Sequence, residues 1–143
     1  MDDSQTLTRP WLTLIFPCYN EEKRLPASLS QVREYLDQTG RPFEILVVDD
    51  GSTDQTVAEA RRLADEDPRI RVIGYGENRG KGAAVKHGAL QAEGELVLFS
   101  DADLSTPIEE LQKFLALVEQ GYDVVIGSRA LAGSDLKVRL ASL

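Results

Sequence analysis

Five short runs of apolar and β-branched residues recur along the chain, at Leu12 to Phe16, Phe43 to Val48, Ile70 to Tyr75, Leu96 to Phe99 and Val124 to Ile126. Each has the length of a strand, and together they read as continuous apolar runs. Strands of that kind are buried on both faces, which requires a mainly parallel sheet covered by helices on either side. An α/β architecture is therefore expected from the spacing alone.

The intervening segments have helical periodicity. Leu25, Leu29, Val32 and Leu36 fall on one face of a first helix, and Gly40 followed by Pro42 stops it. Ser52 and Gln55 stand at capping-box spacing and are expected to open a second helix. Gly82, Ala83, Ala84, Gly88, Ala89 and Ala92 make the third unusually small-sided, so it is expected to pack close to the sheet. A fourth is predicted to begin at Thr106, Pro107 and Glu109, to bury Ile108, Leu111, Leu115 and Val118, and to end at Gly121. This divides the chain into a loose segment 1–10, a domain over 11–129 and, over 130–143, the start of a region that it does not finish.

With 143 residues the chain fits one domain large enough to fold without a disulfide or metal staple. Its single cysteine, Cys18, has no internal partner, and the amino terminus lacks the zones of a signal peptide, so a cytoplasmic setting is expected. No apolar stretch approaches the roughly 20 residues that span a bilayer, which leaves only peripheral contact at the cytoplasmic membrane face. A net charge of −8 argues against nucleic acid as a partner.

In an open parallel sheet, ligands bind beyond the carboxyl ends of the strands. Here those positions are rich in acids: Pro17 to Glu22 after the first run, Asp49 and Asp50 after the second, Asp101 and Asp103 after the fourth. Two carboxylates about 4 Å apart repel by about 4 kcal/mol at an effective dielectric of 20. A cation removes that repulsion, and Mg²⁺ typically takes one or two carboxylates and completes its shell with water and phosphate oxygens. Asp101 and Asp103 are thus candidate metal ligands; the bland alternative is that both cap the turn into the next helix.

Asp49 and Asp50 precede Gly51 and Ser52, where one acid organises a turn and the other is left to accept hydrogen bonds from a ribose hydroxyl or a base N–H. The segment Gly76 to Gly82 misses the phosphate-loop pattern, since Tyr75 stands where its first glycine belongs. Arg129, after the fifth run, meets either a phosphate or solvent. His87 is read as a packing or solvent-facing residue and Cys18 as a small filler without an activating partner.

In order along residues 11 to 129, the strings FPCYNEE, ILVVDDGSTDQT, NRGKGAAVKHG, LVLFSDADLSTP and VVIGSR resemble family-2 glycosyltransferases of the GT-A fold. The versions DADLSTP and NRGKG look most like the dolichyl-phosphate β-glucosyltransferase branch, with the related mannosyltransferases as neighbours. The resemblance implies a Rossmann-like nucleotide-sugar-binding domain and a metal-dependent, inverting transfer from UDP-glucose, or next GDP-mannose, to a polyprenyl or dolichyl phosphate. It also implies roles. Pro17, Tyr19 and Glu21 frame the base, Asp50 supported by Asp49 reaches base or ribose, and Lys81 lies beside the nucleotide. Asp101 contacts the ribose or sugar, Asp103 ligates Mg²⁺ or Mn²⁺ on the diphosphate, and Arg129 faces the donor or acceptor phosphate. Members of this type continue well past the Gly-Ser-Arg strand, so the chain is expected to be truncated on its acceptor side.

Two other readings compete. A sugar nucleotidyltransferase shares the sheet and the acidic site but carries a glycine-rich basic loop after its first strand, whereas Pro17 to Glu22 is acidic and lacks glycine. A nucleotide-sugar-binding module without efficient transfer keeps the donor residues alone. A phospho-receiver domain ranks lower, because its acidic pair follows the first strand rather than the second.

Overall fold

The computed structural model describes residues 9–100 together with 112, 113, 116, 125–127 and 136–138. The chain forms two compact units, Met1–Thr106 and Pro107–Leu143. In the first unit the order is β1 (Leu12–Cys18), α1 (Leu25–Gln38), β2 (Phe43–Asp49), α2 (Thr56–Glu66), β3 (Ile70–Gly74), α3 (Lys81–Gln91) and β4 (Leu96–Phe99). All three strand pairings are parallel, and the sheet order is β3-β2-β1-β4.

The register explains the burial. Thr13 pairs with Glu44 and Ile15 with Leu46, so Thr13, Ile15, Glu44, Leu46 and Val48 share one face, and Leu14, Phe16, Ile45 and Val47 share the other. Side chains of both sets are buried, as expected of central parallel strands. The first face is covered by α3: a Cβ on Gly88 would stand 2.8 Å from Ile15 Cγ2 and 3.1 Å from Val48 Cγ2. Ala84 packs on the same pair, so the small side of this helix lets its backbone lie against the sheet, as expected. The opposite face is left to α1 and α2, which pack on each other. Leu25, Leu29, Val32 and Leu36 of α1 and Ala60 and Leu63 of α2 are buried there. Each such aliphatic side chain contributes about 1.5–3 kcal/mol relative to exposure.

The amino end of the sheet is closed by a paired buried charge. Glu44 accepts hydrogen bonds from the Thr13 hydroxyl (2.6 Å), the Glu93 N–H (2.7 Å) and the Arg71 guanidinium (3.0 Å). Buried acids are tolerated only with such partners.

Two expectations need correction. The second helix begins at Thr56 with Gln55 as its N-cap residue, and Ser52 does not cap it. Ser52 Oγ instead accepts the Asn20 N–H at 2.9 Å, while Asp54 takes the Thr56 N–H at 2.9 Å. In the second unit, the expected fifth strand is β5 (Val125–Gly127), and it pairs antiparallel with β6 (Leu136–Val138), an element that the weak pattern of residues 130–143 does not announce. Residues 112, 113 and 116 are helical and exposed; the predicted helix start at Thr106 and Pro107 lies outside the described residues.

Candidate functional site

The chain runs β1 to β2 to β3 outward in one direction and then returns to place β4 on the other side of β1. The strand order therefore reverses between β1 and β4, and ligands of doubly wound sheets lie at the carboxyl end of such a reversal. Pro17, Tyr19, Glu21, Asp49, Asp50 and Lys81 all occupy this edge.

Three loops are stitched together along it. After β1, Asn20 adopts φ +52, and its side-chain carbonyl accepts the Thr53 N–H at 2.8 Å. The next residue, Glu21, donates its N–H to Thr56 Oγ1 at 2.8 Å, and its carboxylate lies 3.9 Å from the Arg24 guanidinium. Tyr19 is 46% exposed, which leaves an aromatic face open at the end of β1. Pro17 sits half-buried in β1, beside Val48 of β2.

The paired acids have separate duties. Asp49 is buried, and its carboxylate accepts the N–H groups of Gly51 (3.2 Å) and Ser52 (3.2 Å), so this acid organises the turn. Asp50, also buried, turns the other way, toward the β3–α3 loop. It accepts the Tyr75 hydroxyl, the N–H of Arg79 (2.8 Å) and Gly80 (3.0 Å), and the side-chain amide of Asn78 (3.3 Å). Burial works against its charged form, but the hydrogen bonds from Tyr75, Arg79 and Gly80 outweigh it and hold its pKa below the ordinary aspartate value. For Tyr75, burial and the adjoining Asp50 carboxylate push the phenol up to about 12.

Lys81 opens α3, with its ammonium 5.9 Å from the ring centroid of Phe99 in β4. That contact puts Lys81 across the reversal point from the second strand. The Ser100 N–H extends the β4 ladder to Ile15 O at 2.9 Å, at this same edge. Asp101, Asp103 and Arg129 themselves lie outside the described residues. Among the described residues, no group of three or more His, Cys, Asp or Glu side chains could hold a metal ion.

Sequence reasoning placed Asn20 in the segment after the first run and Asn78 in the 76–82 segment without giving either a role, and it did not bring Asp54 or Tyr75 to this edge. An Asn two residues beyond the end of β1 was the available signal for Asn20, since Asn tolerates positive φ. Cys18 and His87 behave as expected. Burial raises the Cys18 thiol well above its usual range, with Glu21 and Asp49 adding to the effect, and His87 packs edge-on against Tyr75.

Comparison with known proteins adds the lineage. A model of glycosyl transferase family 2 matches residues 13–140. The chain belongs to glycosyl transferase family 2. Among relatives of this family 2 chain is an undecaprenyl-phosphate 4-deoxy-4-formamido-L-arabinose transferase from Pectobacterium carotovorum, 39% identical over 92% of this chain and 40% of the relative. A dolichyl-phosphate beta-glucosyltransferase from Drosophila melanogaster is 38% identical over 94% of this chain and 44% of the relative. The chain thus spans about 40% of the length of such curated relatives. Among solved structures, the mannosyltransferase PcManGT from Pyrobaculum calidifontis, in complex with GDP-Man and Mn²⁺, is 35% identical with TM-score 0.58, over 67% of this chain and 28% of that one. The parallel sheet with its helices is therefore the Rossmann-like GT-A arrangement of family 2.

Proposed function

We propose that the carboxyl edge of this sheet is the donor site of an inverting hexosyltransferase. Its donor is a nucleoside-diphosphate sugar, UDP-glucose ahead of GDP-mannose, and its acceptor a polyprenyl or dolichyl phosphate. One observation carries the reading: the β1, β2 and β3 loops are bonded into a single rim at the sheet's reversal point, in a family 2 chain whose relatives are named as polyprenyl-phosphate sugar transferases.

Pro17, Tyr19 and Glu21 frame the base, with Asp49 and Asp50 shaping the base and ribose side and Lys81 beside the diphosphate. Asp101 reaches the ribose or sugar. With Asp103 it offers the two carboxylates suited to Mg²⁺ or Mn²⁺, and Arg129 meets the donor or acceptor phosphate. A divalent cation bound there supplies charge compensation for the departing nucleoside diphosphate. An acceptor phosphate is already an anion, so the attack on the anomeric carbon needs no general base from this chain. No helix among the described residues is long and apolar enough to cross a membrane. Peripheral contact at the cytoplasmic membrane face is the proposed meeting place with a lipid-borne acceptor.

Calorimetric titration with UDP-glucose, GDP-mannose and UDP-N-acetylglucosamine, each with and without Mn²⁺, tests the donor. UDP-glucose is expected to bind most tightly and to need the cation. Absence of binding by all three sugars overturns the proposal.

A further inference from the structure

Three consecutive peptide N–H groups in the loop after β1 are taken by side chains of one segment, residues 52–56. Asn20 donates to Ser52 Oγ at 2.9 Å, Glu21 to Thr56 Oγ1 at 2.8 Å and Glu22 to Asp54 Oδ2 at 3.4 Å. In the other direction, the Thr53 N–H donates to Asn20 Oδ1 at 2.8 Å. The bond at Glu21 has an imposed polarity. A threonine hydroxyl carries one proton and two acceptor positions. The Thr56 proton goes to Asp54 Oδ1, which leaves a lone pair to face the Glu21 N–H. We infer that Asp54 and Thr56 are positioning residues, a relay from the start of α2 that holds the 19–22 loop in its nucleoside-binding shape.

The relay is anchored in the fold. Thr56 is fully buried as the first residue of α2, and Asp54 also accepts its N–H at 2.9 Å, so one carboxylate fixes both the helix start and the hydroxyl. Burial works against the charged form of Asp54, but hydrogen bonds from Thr56 and from the Glu22 N–H outweigh it and hold its pKa below the ordinary aspartate value. Past the relay, the Glu21 carbonyl accepts the Leu25 N–H at 2.9 Å at the head of α1, so the peptide groups of Glu21 are held on both sides. Before it, the Asp50 N–H donates to Cys18 O at 2.8 Å. Tyr19 is thus bracketed by fixed main chain at Cys18 and Asn20, and with its side chain 46% exposed it is aimed by that backbone more than by packing. Successive N–H groups left open form a concavity for anions. Here the chain's own oxygens fill it. The loop therefore meets a ligand through the side chains of Tyr19 and Glu21, and the effect of the relay belongs to the nucleoside rather than to the phosphates.

The inference rests on the donor-site reading above. Wild type, Thr56→Val, Thr56→Ser and Asp54→Asn are to be titrated with UDP and GDP in Mn²⁺ by calorimetry, and with uridine and guanosine by ligand-observed NMR. Thermal unfolding confirms that each variant is folded, and amide exchange at Glu21 is followed without ligand. Thr56→Val removes the acceptor. It should weaken the nucleoside that the wild type binds and the matching diphosphate by the same factor, about fivefold, the size of one net hydrogen bond. Exchange at Glu21 should accelerate. Thr56→Ser keeps the hydroxyl and should stay within about twofold of wild type. Asp54→Asn, at a half-buried position, should lose about threefold for both ligands, and it carries the test where Thr56→Val does not fold. A loss confined to the diphosphate, an unchanged nucleoside affinity, or a loss in Thr56→Ser equal to that in Thr56→Val overturns the inference. A wild-type protein that binds none of the four ligands overturns the donor-site reading, and the inference falls with it.

Discussion

The peptide linking Glu77 to Asn78 passes directly over Gly51, so closely that any side chain at position 51 would overlap it. Gly51 also has φ +78, a conformation that costs other residues energy. Gly51→Ala should therefore lose about 1–3 kcal/mol in urea unfolding, from strain and from displacement of the loop. Gly82→Ala is the control, because a Cβ there meets nothing within 4 Å. In the first turn of α3 it should be neutral or stabilising by up to about 1 kcal/mol. Equal losses in the two variants would contradict the packing of the two loops.

Acid stability should depend on Asp67. Hydrogen bonds from the Arg69 side chain, at 3.0 and 2.9 Å, hold this buried carboxylate below the ordinary aspartate pKa against the effect of burial, and Arg33 adds to the pull from 3.7 Å. A pKa lowered in the folded state means that the unfolded chain binds the proton first as pH falls. The stabilisation is then complete above about pH 4 and is lost as pH drops through the folded-state value. Asp67→Asn should cost about 1–2 kcal/mol at pH 7, less than a dry pair because Arg69 is partly exposed. Unfolding measured from pH 7 to pH 2 should show the gap between wild type and variant closing toward the acid end. A gap that is constant with pH would assign the cost to packing alone.

Cys18 should be silent toward thiol reagents. Its side chain is 1% exposed, and burial beside Glu21 and Asp49 keeps the thiol protonated. A disulfide reagent at pH 8 is expected to label it only in denaturant. Rapid labelling of the native protein would show that the carboxyl end of β1 opens.

β1, β2 and α1 were legible because burial on both faces writes an unbroken apolar run in the two central strands, and burial on one helical face writes the stripe Leu25, Leu29, Val32 and Leu36. The start of α2 was not. Ser52 and Gln55 have capping-box spacing, yet Ser52 is held by Asn20, 32 positions earlier, and a local pattern carries no information about so distant a partner. The same holds for Asp50, whose four donors lie 25 to 30 positions away. Sequence could place its carboxylate at the strand end but not show which groups would occupy it. The three-residue strand β6 is too short to imprint a period. Asp101, Asp103 and Arg129 remain assignments from motif and strand-end position.

A nucleoside diphosphate is expected to be held through a divalent cation by Asp101 and Asp103, the acidic pair after Ser100 in the sequence. The direct measurement is the affinity of UDP and of GDP for the wild type and for Asp103→Ala, each in Mn²⁺ and in EDTA, with thermal unfolding to confirm that the variant is folded. Wild-type binding should be clear in Mn²⁺ and weaker by about tenfold or more in EDTA. Asp103→Ala should bind weakly and indifferently to the cation. Equal wild-type affinity in Mn²⁺ and EDTA, or full Mn²⁺ dependence retained in Asp103→Ala, would contradict it.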